Sequence, residues 1–448
     1  MADEFTLTRP PVRRWQGPLP LRQLMRRLGP GVITGAADDD PSGIATYSQI
    51  GAQFGYALGW TVVLTTPLMA AVQEIAARIG RVTGAGLGAA MRDHAPRWLT
   101  ATVITALVAA NIFNLGADIG AMAEACKLLI GGTTEVYALL IAAFCAACEI
   151  YLAYRRYVVI LKWLTLSLFA YVALLFVVEL PLREVLSGVL VPRTALTPGA
   201  LTALVAVLGT TISPYLFFWQ ASEEAEDEHA EPDPRPLRDH SEDAPKEIAR
   251  IEFDTYAGMV FSNLIALSII VGTAATLHAS GKTEIATAAD AAAALKPVAG
   301  EFASVIFALG IVGTGLLAVP VLAGSAAYAV GEAFKWRVGL SYQAFEARLF
   351  YGFIALATAI GALIAFTALD PIKALFWSAV INGAVSAPII ATMVVLGSKR
   401  AVMGNLVLPW TLKALGWLTA GLMGACTLAR SEEHTSELQS LAYLVCRL

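Results

Sequence analysis

The sequence predicts an all-α polytopic membrane protein of about eleven transmembrane helices, and three observations predict it. Of 448 residues only 15% are charged while 57% are hydrophobic, against roughly 25% charged in a soluble chain. The missing charges are missing in blocks, each long enough to span a bilayer core that takes ~20 apolar residues as a helix. Two of the blocks carry a proline amid polar residues at mid-length. The same figures exclude other classes. A formal charge of −4 leaves no basic face for phosphates, so nucleic acid is not a partner. Five cysteines at 126, 145, 148, 426 and 446 form no disulfide framework. The lipid bilayer is the one obligate surrounding, and no obligate protein partner or cofactor is evident.

Taken in order, residues 1–27 carry Arg9, Arg13, Arg14, Arg22, Arg26 and Arg27 and no apolar stretch of signal-peptide length, which predicts an uncleaved cytoplasmic arm. A transporter body is expected over 28–428. Its first segment starts near Pro30, and Gly51, Gly55 and Gly59 separate it from a second span over about 56–72. Charge-free runs follow at 98–117, 194–222, 255–281, 302–331, 349–369 and 374–398, with apolar segments at 134–152 and 156–178 divided by Arg155 and Arg156. A last span covers 405–428. With the N-terminus inside, most basic residues fall in cytoplasmic loops, as the positive-inside rule requires of a protein of the cytoplasmic (inner) membrane. Residues 222–251, dense in Glu, Asp and Pro, read as a solvated cytoplasmic loop. The tail 431–448 changes composition abruptly and resembles translated adapter sequence, so it is read as non-native.

Buried ionisable groups in a membrane are costly, by about 2.5–3.5 kcal/mol each on the insertion scale, and mark functional sites. In the first segment Asp38, Asp39 and Asp40 precede Pro41, Ser42 and Gly43. Proline removes an N–H and glycine tolerates dihedrals other residues avoid, so the helix is expected to break here. Unwinding frees carbonyl oxygens beside a carboxylate, a hard-oxygen set suited to a small divalent cation or sodium. The partner break is expected at Thr210-Thr211-Ile212-Ser213-Pro214, adding carbonyls near Thr210 and the Ser213 hydroxyl. Two broken helices, each opening one half of a ten-helix body, are the pattern of a transporter with inverted repeats and a midplane site.

GPG at 29–31, DPSG at 40–43 and GAQFGYALGW at 51–60, with TISPY at 211–215 and ADIG at 117–120, resemble the natural resistance-associated macrophage protein (Nramp) family of divalent-metal transporters. The resemblance implies a LeuT-type fold, two inverted five-helix repeats plus one helix, with metal between the unwound parts of segments one and six. It implies as ligands Asp40, the carbonyls near Gly43 and Thr210, and the Ser213 hydroxyl. Around them it sets Asp38, Asp39, Ser42, Tyr215, Gln220, Asp118 and Asn382 as pathway or supporting residues. The departures have a direction. The family's Asp-Pro-Gly-Asn reads Asp40-Pro41-Ser42-Gly43 here, which loses the amide. Its Met-Pro-His reads Ser213-Pro214-Tyr215, which loses a thioether and an imidazole. Gln220 stands in place of a second His, and Ala121 in place of a Glu. Without a soft thioether the site loses its bias against hard ions. The pattern resembles the Nramp-related magnesium transporters and implies Mg²⁺ and Mn²⁺ as cargo.

With His278 near the outer end of its span and His94, His229 and His240 in loops, proton coupling is expected to be weak or absent. Of the remaining acids, Asp118 is expected to pair with a cation such as Arg348 or to line a vestibule. Asp38 and Asp39 are expected to cap the unwound turn or to draw cations, and Asn382 to bond across helices or face the pore. A proton-coupled Mn²⁺/Fe²⁺ transporter is the nearest alternative. A LeuT-type carrier of an organic carboxylate is disfavoured by three acids at the break. An intramembrane aspartyl hydrolase using Asp40 and Asp118 lacks the context such a dyad needs.

Overall fold

The computed structural model describes residues 29–151, 166–192, 197–229, 235–239, 242–367 and 370–445, with side chains to Arg430. The helices are α1 (Pro30–Asp38), α2 (Pro41–Phe54), α3 (Trp60–Thr83), α4 (Leu87–His94), α5 (Arg97–Ile130), α6 (Thr134–Tyr151), α7 (Phe169–Val177) and α8 (Leu182–Leu190). They continue as α9 (Pro198–Thr211), α10 (Pro214–His229), α11 (Ala244–Thr273), α12 (Ala303–Ala333), α13 (Arg348–Ala365), α14 (Pro371–Ser398) and α15 (Trp410–Val445). Among the described residues nine helical segments are long and apolar enough to cross a membrane. The broken pair α1–α2 and the shorter apolar helix at Leu166–Val177 come in addition to these nine. The arm at 1–27 and the expected turn at Arg155 and Arg156 lie outside the described residues.

The interrupted pairs sit at the centre. Helix α11 packs along both α1 and α2, while α9 packs on α14 and α10 wedges between α3 and α12. Helix α5 is the other axis, flanked by α12, α13 and α14. Two small residues let α1 come close to α11. A methyl group at Gly35 would collide with the Gly258 carbonyl, so the two backbones touch without side chains between them. The free amides at the start of α1 are taken up by Asp254 of α11, which accepts from Gly29 N at 2.9 Å, Gly31 N at 2.6 Å and Val32 N at 3.3 Å. A side chain some 220 positions away thus does the capping that a neighbouring Ser or Asp ordinarily does.

Several helices run past the charge-free blocks, and the reason is pairing. Helix α3 continues to Thr83 with Glu74, Arg78 and Arg81 all buried. Arg78 Nη2 lies 2.5 Å from Glu74 and 2.7 Å from Glu252, and Arg81 lies 3.1 Å from Glu247. Arg250 joins Glu224 at 2.5 Å and Glu247 at 3.0 Å. The expectation of a solvated loop over 222–251 is corrected accordingly. Helix α10 carries the acids to His229 and α11 resumes at Ala244, with Glu224 and Glu228 buried. Acids with fixed arginine partners do not need solvent, so charge density alone overstated the loop. Helix α15 likewise continues in one piece through residue 428 to Val445.

Candidate metal site

The first break is as short as a break can be. Helix α1 ends at Asp38, Asp39 leaves the helical region (φ −80°, ψ 50°), and Asp40 is extended (φ −71°, ψ 171°) before Pro41 restarts the helix. Asp40 is then the N-cap of α2. Its Oδ1 accepts from Gly43 N at 2.7 Å and from the Ser42 hydroxyl at 2.6 Å. Its Oδ2 accepts from the Tyr215 hydroxyl and from Asn114 Nδ2, both at 3.3 Å. The carboxylate is 2% exposed. All four contacts are donors, so the arrangement holds a negative charge without supplying a positive one.

The second break faces it. Helix α9 ends at Thr211, Ile212 is non-helical (φ −118°, ψ 64°), and Pro214 starts α10. A methyl placed at Gly43 would stand 3.4 Å from the Asp38 carbonyl oxygen and 3.5 Å from Thr210 Oγ1, so the two breaks lie at one level. Tyr47 and Thr211 link them through their hydroxyls at 3.0 Å, and Tyr215, besides reaching Asp40, donates to the Ala37 carbonyl at 3.2 Å. Thr210 Oγ1 is buried with no hydrogen-bond partner among the described residues. Ser213 Oγ donates to Gly209 O at 3.0 Å and Thr210 O at 2.9 Å. Its hydroxyl therefore addresses the backbone of its own helix and takes a share of the Thr210 carbonyl.

The supporting residues divide. Ser42 and Tyr215 touch Asp40. Gln220 does not; its Nε2 donates to Thr255 Oγ1 at 2.8 Å and ties α10 to α11. Asp38 and Asp39 do not cap the turn, which corrects the first of their two expected roles. They accept from Ser262 of α11 at 2.7 and 3.2 Å, at the carboxyl end of α1, where free carbonyls already concentrate negative potential. Asp118 is buried with neither oxygen hydrogen-bonded. The expected pairing with Arg348 is overturned, since Arg348 Nε donates to the Phe345 carbonyl at 3.2 Å, at the end of its own helix. Asn382 is buried and its amide has no partner among the described residues, which overturns the expected interhelical bond. One turn away Ser386 Oγ donates to Ile212 O in the second break at 2.8 Å.

Two side chains at the centre went unseen in the sequence, Asn114 and Ser262. The signal for the first was present. Asn111, Asn114 and Asp118 fall at i, i+3 and i+7, a polar stripe on an otherwise apolar helix. Asn111 Nδ2 fixes that stripe by donating to Leu322 O and Ser325 Oγ, each at 2.9 Å. No group of three or more His, Cys, Asp or Glu side chains is placed to hold a metal among the described residues. The geometry instead offers one carboxylate set among hydroxyl groups and backbone carbonyls, with the Asn114 amide nitrogen turned toward it.

Residues 31–430 match the family model described as natural resistance-associated macrophage protein-like. The chain belongs to the Nramp family. Solved structures carry the same fold. An Eremococcus coleocola manganese transporter, solved with an aromatic bis-isothiourea substituted compound, superposes with a TM-score of 0.72 at 18% identity, over 95% of this chain and 88% of that one. Mhp1, a nucleobase-cation-symport-1 family transporter in a closed conformation with bromovinylhydantoin bound, gives 0.56 at 15% identity, over 93% of each chain. The LeuT-type reading of the two broken segments therefore holds. Nramp proteins are transporters and not enzymes, and this one is a divalent-metal transporter embedded in a membrane through its apolar helices.

Proposed function

We propose that this Nramp protein imports Mg²⁺ and Mn²⁺ across the cytoplasmic membrane, with the N-terminus inside and little or no proton coupling. One observation carries the reading: Asp40 is a buried carboxylate between two helix breaks, with four hydrogen-bond donors and no Lys or Arg paired to it among the described residues. Such a charge asks for a cation. The neighbouring oxygens are hard donors: the Asp40 carboxylate, the carbonyls left free where α1 ends, and the Thr210 hydroxyl. Mg²⁺ wants octahedral oxygen and keeps several waters, and a site lacking the family's Asn and Met side chains leaves room for them. The relative named as a manganese transporter supports Mn²⁺ as a second cargo. Asp38 and Asp39, which accept from Ser262, and the buried Asp118 add further carboxyl groups on neighbouring turns.

The drive follows from charge. Among the described residues no His hydrogen-bonds Asp40, and His278 Nδ1 is engaged with the Ala52 carbonyl at 2.8 Å, at the far end of α2. The membrane potential is worth ~2.3 kcal/mol per charge per 100 mV, so roughly twice that for a divalent ion. The family match stops at 430, which supports taking 431–448 as foreign and 28–428 as the transporter body. Uptake into proteoliposomes with Mg²⁺, Mn²⁺, Fe²⁺ and Ca²⁺ tests the proposal. Mg²⁺ and Mn²⁺ uptake without interior acidification is expected. Transport of Fe²⁺ and Mn²⁺ that ignores Mg²⁺ rejects the ion preference, and metal-driven acidification rejects the drive.

A further inference from the structure

The amide that the first break lacks has a counterpart on another helix. Gly43 stands where an Asn side chain is absent from the turn, and Asn114 of α5 reaches the same carboxylate from the opposite side, with Nδ2 3.3 Å from Asp40 Oδ2. Asn114 is fully buried, and its Oδ1 has no hydrogen-bond partner among the described residues. The two ends of one amide are thus used unequally, the donor satisfied and the acceptor left bare, and a buried acceptor left unmet is costly. Half a turn about the amide bond to the side chain exchanges the two ends within nearly the same volume. A cation on Asp40 repels the N–H₂ group and attracts the carbonyl oxygen. Asn111, one turn earlier, is clamped to α12, so this face of α5 is held at a fixed depth beside the break.

We propose that Asn114 is a ligand to the transported ion, supplying a hard amide oxygen from the third membrane segment in place of the one missing at Gly43. Its N–H₂ group, as the structure has it, steadies Asp40. In the loaded site the amide turns over, and Oδ1 joins the carboxylate on the ion. This inference rests on Asp40 holding the metal. A neutral oxygen of this kind favours Mg²⁺ more than it favours softer ions.

Isothermal titration of the purified full chain with Mg²⁺ and with Mn²⁺, on Asn114→Leu, Asn114→Asp and Asp40→Ala, tests it. Asn114→Leu, which keeps the volume and removes the oxygen, is expected to weaken Mg²⁺ binding by about tenfold and Mn²⁺ binding by less. Asn114→Asp, which removes the donor but keeps an oxygen, is expected to tighten Mg²⁺ binding. A residue that only steadies Asp40 through its N–H₂ group gives the opposite result, because the aspartate variant then loses the donor and sets two carboxylates face to face. Weakened or unchanged binding in Asn114→Asp overturns the proposal, and that variant decides alone if Asn114→Leu does not fold. Binding that survives Asp40→Ala overturns the metal-site reading itself. Loss in Asp40→Ala with neither Asn114 variant altered overturns only the role of Asn114.

Discussion

The two helix breaks meet at one level of the membrane but are finished differently. The first is charged. Three consecutive acids end α1, and Asp40 gathers donors from its own turn, from α5 and from α10. The second closes on itself: Ser213 bonds the carbonyls of its preceding turn, and Ser386 occupies the Ile212 carbonyl. The difference teaches a division of labour. Under the proposed function the first break supplies the charge that draws a cation, and the second supplies a hydrogen-bonded wall against which that charge is held.

Breaking that division is done most sharply at Asp40. Asp40→Ala is expected to abolish uptake and metal binding while the protein still purifies as a folded species, as radiotracer uptake and titration will report. Next comes the support of the charged break. Asp254→Ala strands three backbone amides at the head of α1, with an expected loss of about 1–3 kcal/mol, read as a lower unfolding midpoint in detergent. Tyr215→Phe removes a hydroxyl shared between Asp40 and Ala37. At about 0.5–1.5 kcal/mol for such a hydrogen bond, Mg²⁺ affinity is expected to fall roughly two- to tenfold. The smallest effect belongs to the second break. Ser213→Ala is expected to change affinity by less than about twofold, the low end of the same range, because the hydroxyl already serves its own helix. A loss in Ser213→Ala comparable to that in Asp40→Ala would make Ser213 a direct ligand and erase the contrast between the two breaks.

The breaks were legible because their causes are local. Asp40-Pro41 marks the first break by a proline after three consecutive acids, whereas Ser213-Pro214 has only polar neighbours. Pro67, Pro320 and Pro388 sit inside unbroken helices, so the second break was legible mainly as the partner of the first. The span count was legible from the same charge-free blocks, although their ends were not. Glu74, Arg78, Arg81, Glu224 and Arg250 read as solvent-facing until their partners on other helices are known. Asn114, Ser262 and Asp254 were hidden for a related reason. Each acts on a residue between 74 and 225 positions away, and nothing in a single sequence links such pairs. Asp118 went wrong in the opposite sense. A buried acid suggested a basic partner, whereas neither of its oxygens has a hydrogen-bond partner among the described residues.

The seam where Gly35 lies against Gly258 has an evolutionary corollary. Around Asp40 the contacts are made by side chains, which a substitution can change without moving a backbone. At the seam there is no side chain to exchange, and any addition forces the two rods apart. Selectivity is therefore open to revision in this architecture, while the articulation that carries it is locked.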